Sequence, residues 1–98
     1  MMEVVWLDEA VNDLKEIGQY IAKDDPGAAY QVLTKIKASA DSLEQNPELG
    51  RPGRVAKTRE LIIAGIPFIL PYCIKKKQVR ILAVMHSARK WPDGFSST

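Results

Sequence analysis

The chain carries a single histidine, His86, and Arg89 and Trp91 follow it closely. A second group of cations, Arg51, Arg54, Lys57 and Arg59, stands upstream, and Arg80 lies between the two groups. Histidine titrates near neutrality and can carry a proton in either direction. Arginine stays charged, and its planar fork meets phosphate or carboxylate oxygens two at a time. An aromatic ring can stack a splayed base. These residue types point toward an anionic partner, nucleic acid or an acidic polypeptide, and away from a neutral small substrate.

The charge distribution agrees. Residues 1–50 carry four lysines against ten acids, a net of −6, whereas residues 51–98 carry ten Lys/Arg against only Glu60 and Asp93, a net of +8. The overall +2 conceals this split.

At 98 residues the sequence is read as one domain, 1–98, with 92–98 as a mobile tail. Hydrophobic residues at 46% are ordinary for a globular chain. No long apolar run or basic-apolar-small opening marks a membrane span or a secretory leader, so the expected location is the cytoplasm, with no membrane partner. Cys73 is the only cysteine, which excludes an internal disulfide and suits a reducing compartment. One Cys and one His cannot complete a structural zinc site, so neither metal nor cofactor is expected.

The elements that must position these residues follow from patterning. Glu3-Val4-Val5-Trp6 reads as a short strand. Asp8 stands at an N-cap position, and Val11, Leu14, Ile17 and Ile21 then form one helical stripe. Asp25-Pro26 starts a second helix, whose buried face is Ala29, Val32, Leu33, Ile36, Ala40 and Leu43, and Asn46-Pro47 ends it. Gly50-Arg51-Pro52-Gly53-Arg54 reads as a stiff basic loop. Strand-like stretches follow at about 58–63, 67–74 and 79–86, the last two joined across Lys75-Lys76-Lys77-Gln78. Proline cannot donate to a ladder, so Pro71 belongs at a bulge or with its nitrogen turned away from a partner. The fold class is α+β, β-α-α-β-β-β, a two-helix hairpin packed on a small, mainly antiparallel sheet.

The order of elements and the residues together resemble the RelE/ParE superfamily of bacterial toxins, in the RelE/StbE-like group. The resemblance runs through Trp6, Asp8-Glu9-Ala10, Asp13-Leu14, Ile17, Tyr20-Ile21, Pro26 and Ala28-Ala29. It continues with Asn46 to Arg54, Thr58-Arg59-Glu60-Leu61, Pro71-Tyr72, Ile81-Leu82, Val84-Met85-His86, Ala88-Arg89 and Trp91-Pro92. It implies the toxin of a type II toxin–antitoxin module, of the kind associated with plasmid stabilisation. Such a toxin inhibits growth when free and is silenced by a cognate antitoxin in a hetero-oligomer. RelE-like members cut mRNA in the ribosome, and ParE-like members share the fold but poison DNA gyrase.

RNA cleavage by an adjacent 2′-hydroxyl needs proton transfers and charge stabilisation at phosphate. On the resemblance, His86, Arg59 and Arg89 would be catalytic. Arg51, Arg54, Lys57, Arg80 and Trp91 would bind the target, the ribosome with its mRNA. Structural readings stand beside these. A strand-end histidine serves equally as a hydrogen-bonder, Arg59 can pair with an acid on the helices, and Trp91 can pack in the core or seal a sheet edge. The Lys75–Lys77 run reads as a solvated turn, and the acids of the first helix, Asp13 among them, as its outer face. The favoured reading is ribosome-dependent mRNA cleavage. Cys73 and Ala83 stand where relatives often carry arginine, which weakens it and leaves a ParE-like gyrase inhibitor as the alternative, while the basic half alone would permit a non-catalytic nucleic-acid-binding module.

Overall fold

The computed structural model of the chain describes residues 1–88; Arg89, Trp91 and the tail expected at 92–98 lie outside the described residues. Strand β1 (Glu3–Trp6) leads into helix α1 (Asp8–Ala22), and a tight turn reverses the chain into helix α2 (Pro26–Asp41). A 3-10 turn (Ser42–Glu44) precedes β2 (Arg51–Pro52), β3 (Thr58–Ile62), β4 (Phe68–Lys75), β5 (Gln78–Ile81) and β6 (Met85–His86). The α+β architecture is the one expected, with two additional strands of two residues each.

The helix boundaries have local causes. Asp25 is extended, and its Oδ1 accepts a hydrogen bond of 3.1 Å from Ala28 N, with Pro26 in the first turn behind it. At α1 the expected cap moves by one residue. Leu7 is the N-cap and makes no side-chain bond, while Asp8 and Glu9 lie inside the first turn, where the helix dipole favours acids. Val11 is 37% exposed, so the buried side of α1 is carried by Ala10, Leu14, Ile17 and Gly18 instead. At Gly18 a Cβ would lie 2.9 Å from Leu33 Cδ1, so the bare backbone lets the two helices close on each other. Helix α2 stops at Asp41, before Asn46-Pro47, and the 3-10 turn takes up the difference.

The sheet runs β1-β5-β4-β3-β2, with β6 also on β4. Neighbours are antiparallel except β1 and β5, which pair in parallel from Glu3↔Gln78 to Trp6↔Ile81. The stretch expected as one strand over 79–86 is broken. Tyr72 pairs with Ile81 and Ile69 with Met85, so Leu70 and Pro71 face three residues, Leu82, Ala83 and Val84. That one-residue excess is a β-bulge. Leu82 N donates to Pro71 O at 2.9 Å, whereas Val84 N turns from the ladder and donates to Asp13 Oδ2 of α1 at 3.0 Å. Pro71 has no N–H to offer there, so the bulge sits where the expectation placed it.

Side chains alternate between faces. Leu61, Leu70, Tyr72, Val79 and Ile81 meet Ala10, Ile36, Ala40 and Leu43 of the helical layer. On the opposite face Thr58, Glu60 and Cys73 are buried, and Ile69, Ala83 and Met85 form a smaller cluster.

Candidate functional site

The segment from Pro47 to Arg51 is fixed by side chains rising from β3 and β4. The Tyr72 hydroxyl accepts from Gly50 N at 2.9 Å and donates to Pro47 O at 2.7 Å. Its cross-strand partner Arg59 donates through Nη1 to Gly50 O at 2.7 Å and to Glu48 O at 3.3 Å, and Nη2 lies 3.8 Å from the Glu48 carboxylate. Only glycine fits at 50, since a Cβ would stand 2.7 Å from Tyr72 Cε1 and 2.9 Å from Glu60 O. Burial pushes the Tyr72 hydroxyl pKa up, opposed by the Gly50 hydrogen bond and the Arg59 charge. Arg59 therefore pairs with an acid, as one reading allowed, but that acid lies in the loop and not on a helix.

Arg51, expected in a loop, is instead half of β2 and pairs with Glu60. Its Nε and Nη2 both donate to Glu60 Oε1, at 3.2 and 3.1 Å. Glu60 is 3% exposed, and its Oε2 has no hydrogen-bond partner among the described residues. Arg54 and Lys57 occupy the hairpin joining β2 to β3, closed by Gly53 N donating to Thr58 O at 2.8 Å. Both are exposed and make no ion pair among the described residues. Arg80 donates to Gln78 Oε1 at 3.1 Å and pairs in register with Cys73. Burial raises the Cys73 thiol pKa, opposed by Arg80 and Lys75.

His86 lies elsewhere. It pairs with Phe68 at the start of β4, their rings edge to face at 5.7 Å, and its Nδ1 accepts from Ala88 N at 3.2 Å. In the neutral ring that bond leaves the proton on Nε2. The imidazole lines a groove of about 420 Å³ with Asp13, Glu16, Ile17, Tyr20, Ile21, Phe68 and Val84. The described lining of this groove is thus acidic and apolar apart from the imidazole.

The candidate residues that are described do not share one surface. Arg59 is in register with core residue Tyr72 and so on the helix-bearing side, whereas Arg51, through Glu60, and Arg80, through Cys73, belong to the opposite face. His86 stands beside Phe68, while Lys57 adjoins Thr58, which pairs with Cys73 near the far end of β4. Phe68 and Cys73 are five residues apart along β4, about 17 Å at 3.3 Å per residue. Two partners, Tyr72 and Glu60, were not singled out from sequence, and a third, Asp13, read as part of the outer face of the first helix, instead reaches the sheet and accepts from Val84 N. Asp13 had a signal, since it lies three residues after buried Ala10 and four before Ile17, at the margin of the stripe that faces the sheet.

The comparisons with known proteins agree with this architecture. The model of the ParE toxin of type II toxin-antitoxin system, parDE, matches residues 4–91. "Putative toxin Y4kP" of Sinorhizobium fredii is 49% identical over 88 residues, covering 90% of this chain and 91% of that protein. Toxin RelE2 of Caulobacter vibrioides is 37% identical over 89 residues, 91% of this chain and 99% of the relative. A solved chain described as the chromosomal ParDE TA system from P. aeruginosa superposes with a TM-score of 0.80 at 29% identity, over 88% of this chain and 96% of that one. The chain belongs to the ParE toxin family of type II toxin–antitoxin systems.

Proposed function

We propose that the chain inhibits growth by acting on DNA gyrase, without cutting RNA, and that a cognate antitoxin neutralises it. The observation that carries this reading is the dispersal of the groups that a nuclease would gather around one phosphate. General acid–base work and phosphate stabilisation must be within hydrogen-bond reach of the same reacting atoms. Here Arg59 is committed to Gly50 O and Glu48, Arg51 is committed to Glu60, and His86 opens into a groove walled by Asp13 and Glu16. Cys73 and Ala83, each 2% exposed, offer no cation where relatives often carry one. The ParE family match and the ParDE neighbour are in keeping with this reading, while the relative toxin RelE2 carries the name of the other branch.

The test is induction of the chain in growing cells with two parallel readouts, plasmid topoisomers and primer extension on a translated message. Loss of negative supercoiling with intact messages is expected. Discrete cuts that disappear without ribosomes, with supercoiling preserved, overturn the reading and restore RNA cleavage. His86→Ala gives an independent arm. Removing a general acid or base costs a nuclease about 10²–10⁴-fold in rate, whereas a gyrase inhibitor whose activity does not use His86 keeps its potency.

A further inference from the structure

The two hairpins of the sheet end on the same side of the molecule. Thr58 pairs with Cys73 and Lys75 with Gln78, so the β2–β3 tip, with Arg54 and Lys57, lies next to the β4–β5 tip, Lys75, Lys76 and Lys77. All five side chains are exposed, and none makes an ion pair among the described residues. The acid beside them, Glu3 of β1, accepts from Gln78 Nε2 at 2.9 Å. Three of the five lysine and arginine positions also violate the local preference of the backbone. Lys57, Lys76 and Lys77 have φ of 66°, 51° and 64°, the left-handed region that favours Gly and Asn. A two-residue hairpin with both φ positive ordinarily carries Asn-Gly, so these lysines occupy sites where folding alone selects other residues.

We propose that this end of the sheet binds the phosphate backbone of duplex DNA, with the two hairpin tips resting on opposite sides of a groove. Two strand spacings put the tip centres about 10 Å apart, close to the roughly 12 Å width of the major groove. Neither tip carries an aromatic side chain, which single-stranded binding uses to stack bases. Contacts of this kind read charge and spacing, not sequence. The site goes beyond the target assigned above and is tested on DNA alone, so either reading can fail without the other.

The experiment is fluorescence anisotropy of the purified chain with a labelled duplex of about 20 base pairs across a salt series. The test variant is Lys76→Asn/Lys77→Gly, whose residues suit the turn, with the melting temperature as the check on folding. Each lost phosphate contact lowers the log–log salt slope by about 0.9, which is about 8-fold in affinity at 0.1 M relative to 1 M salt. The double variant should therefore bind about 60-fold more weakly at 0.1 M, with a slope reduced by about two. Lys57→Asn, in the other hairpin, should lower the slope by about one and serves if the first variant does not fold. The proposal is overturned by three results: no duplex binding at low salt, variants with the slope of the parent, or tighter binding to single-stranded RNA or polyglutamate than to the duplex.

Discussion

Replacing Tyr72 by phenylalanine removes one oxygen atom from the centre of the fold and keeps the ring. The ring is fully buried between sheet and helices, so its packing is retained. What disappears is the junction with the Pro47–Arg51 segment, the bond from Gly50 N at 2.9 Å and the bond to Pro47 O at 2.7 Å. Each such bond is worth about 1 kcal/mol net, and a buried N–H left without an acceptor costs about 1–3 kcal/mol more. Gly50 is buried and cannot turn its N–H to water, whereas half-buried Pro47 can recover part of its loss. The expected destabilisation is therefore about 2–4 kcal/mol, or a fall in melting temperature of about 10–25 °C for a domain of this size. Urea unfolding followed by circular dichroism measures it, with the denaturant slope unchanged. Amide exchange at Gly50 should accelerate by more than exchange in β4. A loss below about 0.5 kcal/mol would falsify the argument that this hydroxyl holds the segment.

The same buried groups make stability sensitive to alkali. Folding raises the pKa of Cys73 and of Tyr72, so their contributions are complete below the unfolded values near 9.0 and 10.0 and fade as pH climbs through the folded ones. Melting temperature should fall across this range, less steeply in Tyr72→Phe and in Cys73→Ala, and identical profiles in all three would refute the assignment. Arg51→Ala leaves the Glu60 carboxylate buried without its cation and should cost about 1–3 kcal/mol, whereas Arg51→Met/Glu60→Leu should recover most of that; equal losses in both variants would show the pair to be irrelevant. Gly50→Ala drives a methyl into Tyr72 and Glu60 O and should destabilise by about 2 kcal/mol or more in the same urea assay. Asp25→Ala removes the cap of α2 and should cost about 1 kcal/mol, a value that a neutral result would contradict.

The parts of the fold legible in the sequence are those governed by neighbours along the chain. Asp25-Pro26 carries its own cap and its own φ restraint, and both helices follow from apolar spacing. Pro71 announces a bulge because the missing donor is a property of the residue itself. The break at Leu82–Val84 could not be read, because an apolar run of Leu, Ala and Val carries no glycine, proline or polar residue to mark where it leaves the ladder. Its causes are a proline on the neighbouring strand and a carboxylate, Asp13, near the other end of the chain. The candidate site was harder for the same reason. Arg51, Arg54, Arg59 and His86 are chemically suited to one phosphate, but face and register decide whether they meet. The partners that committed Arg51 and Arg59, Glu60 and Glu48, became visible only when the strands were paired.

The parallel pairing of the first strand has a consequence for synthesis. Glu3 faces Gln78, and among the described residues β5 is the only strand beside β1. The helical hairpin can form early from local contacts, but β1 waits for a strand 75 residues further along the chain (Glu3 to Gln78), and such long-range closure must precede any gain from pairing. A product interrupted before residue 78 has an unpaired first strand and an uncovered edge on β4. Only chains extended past Ile81 can pair the first strand, so a shorter fragment lacks that part of the sheet. Until closure, the open edge of β4 is exposed to any extended segment that reaches it first.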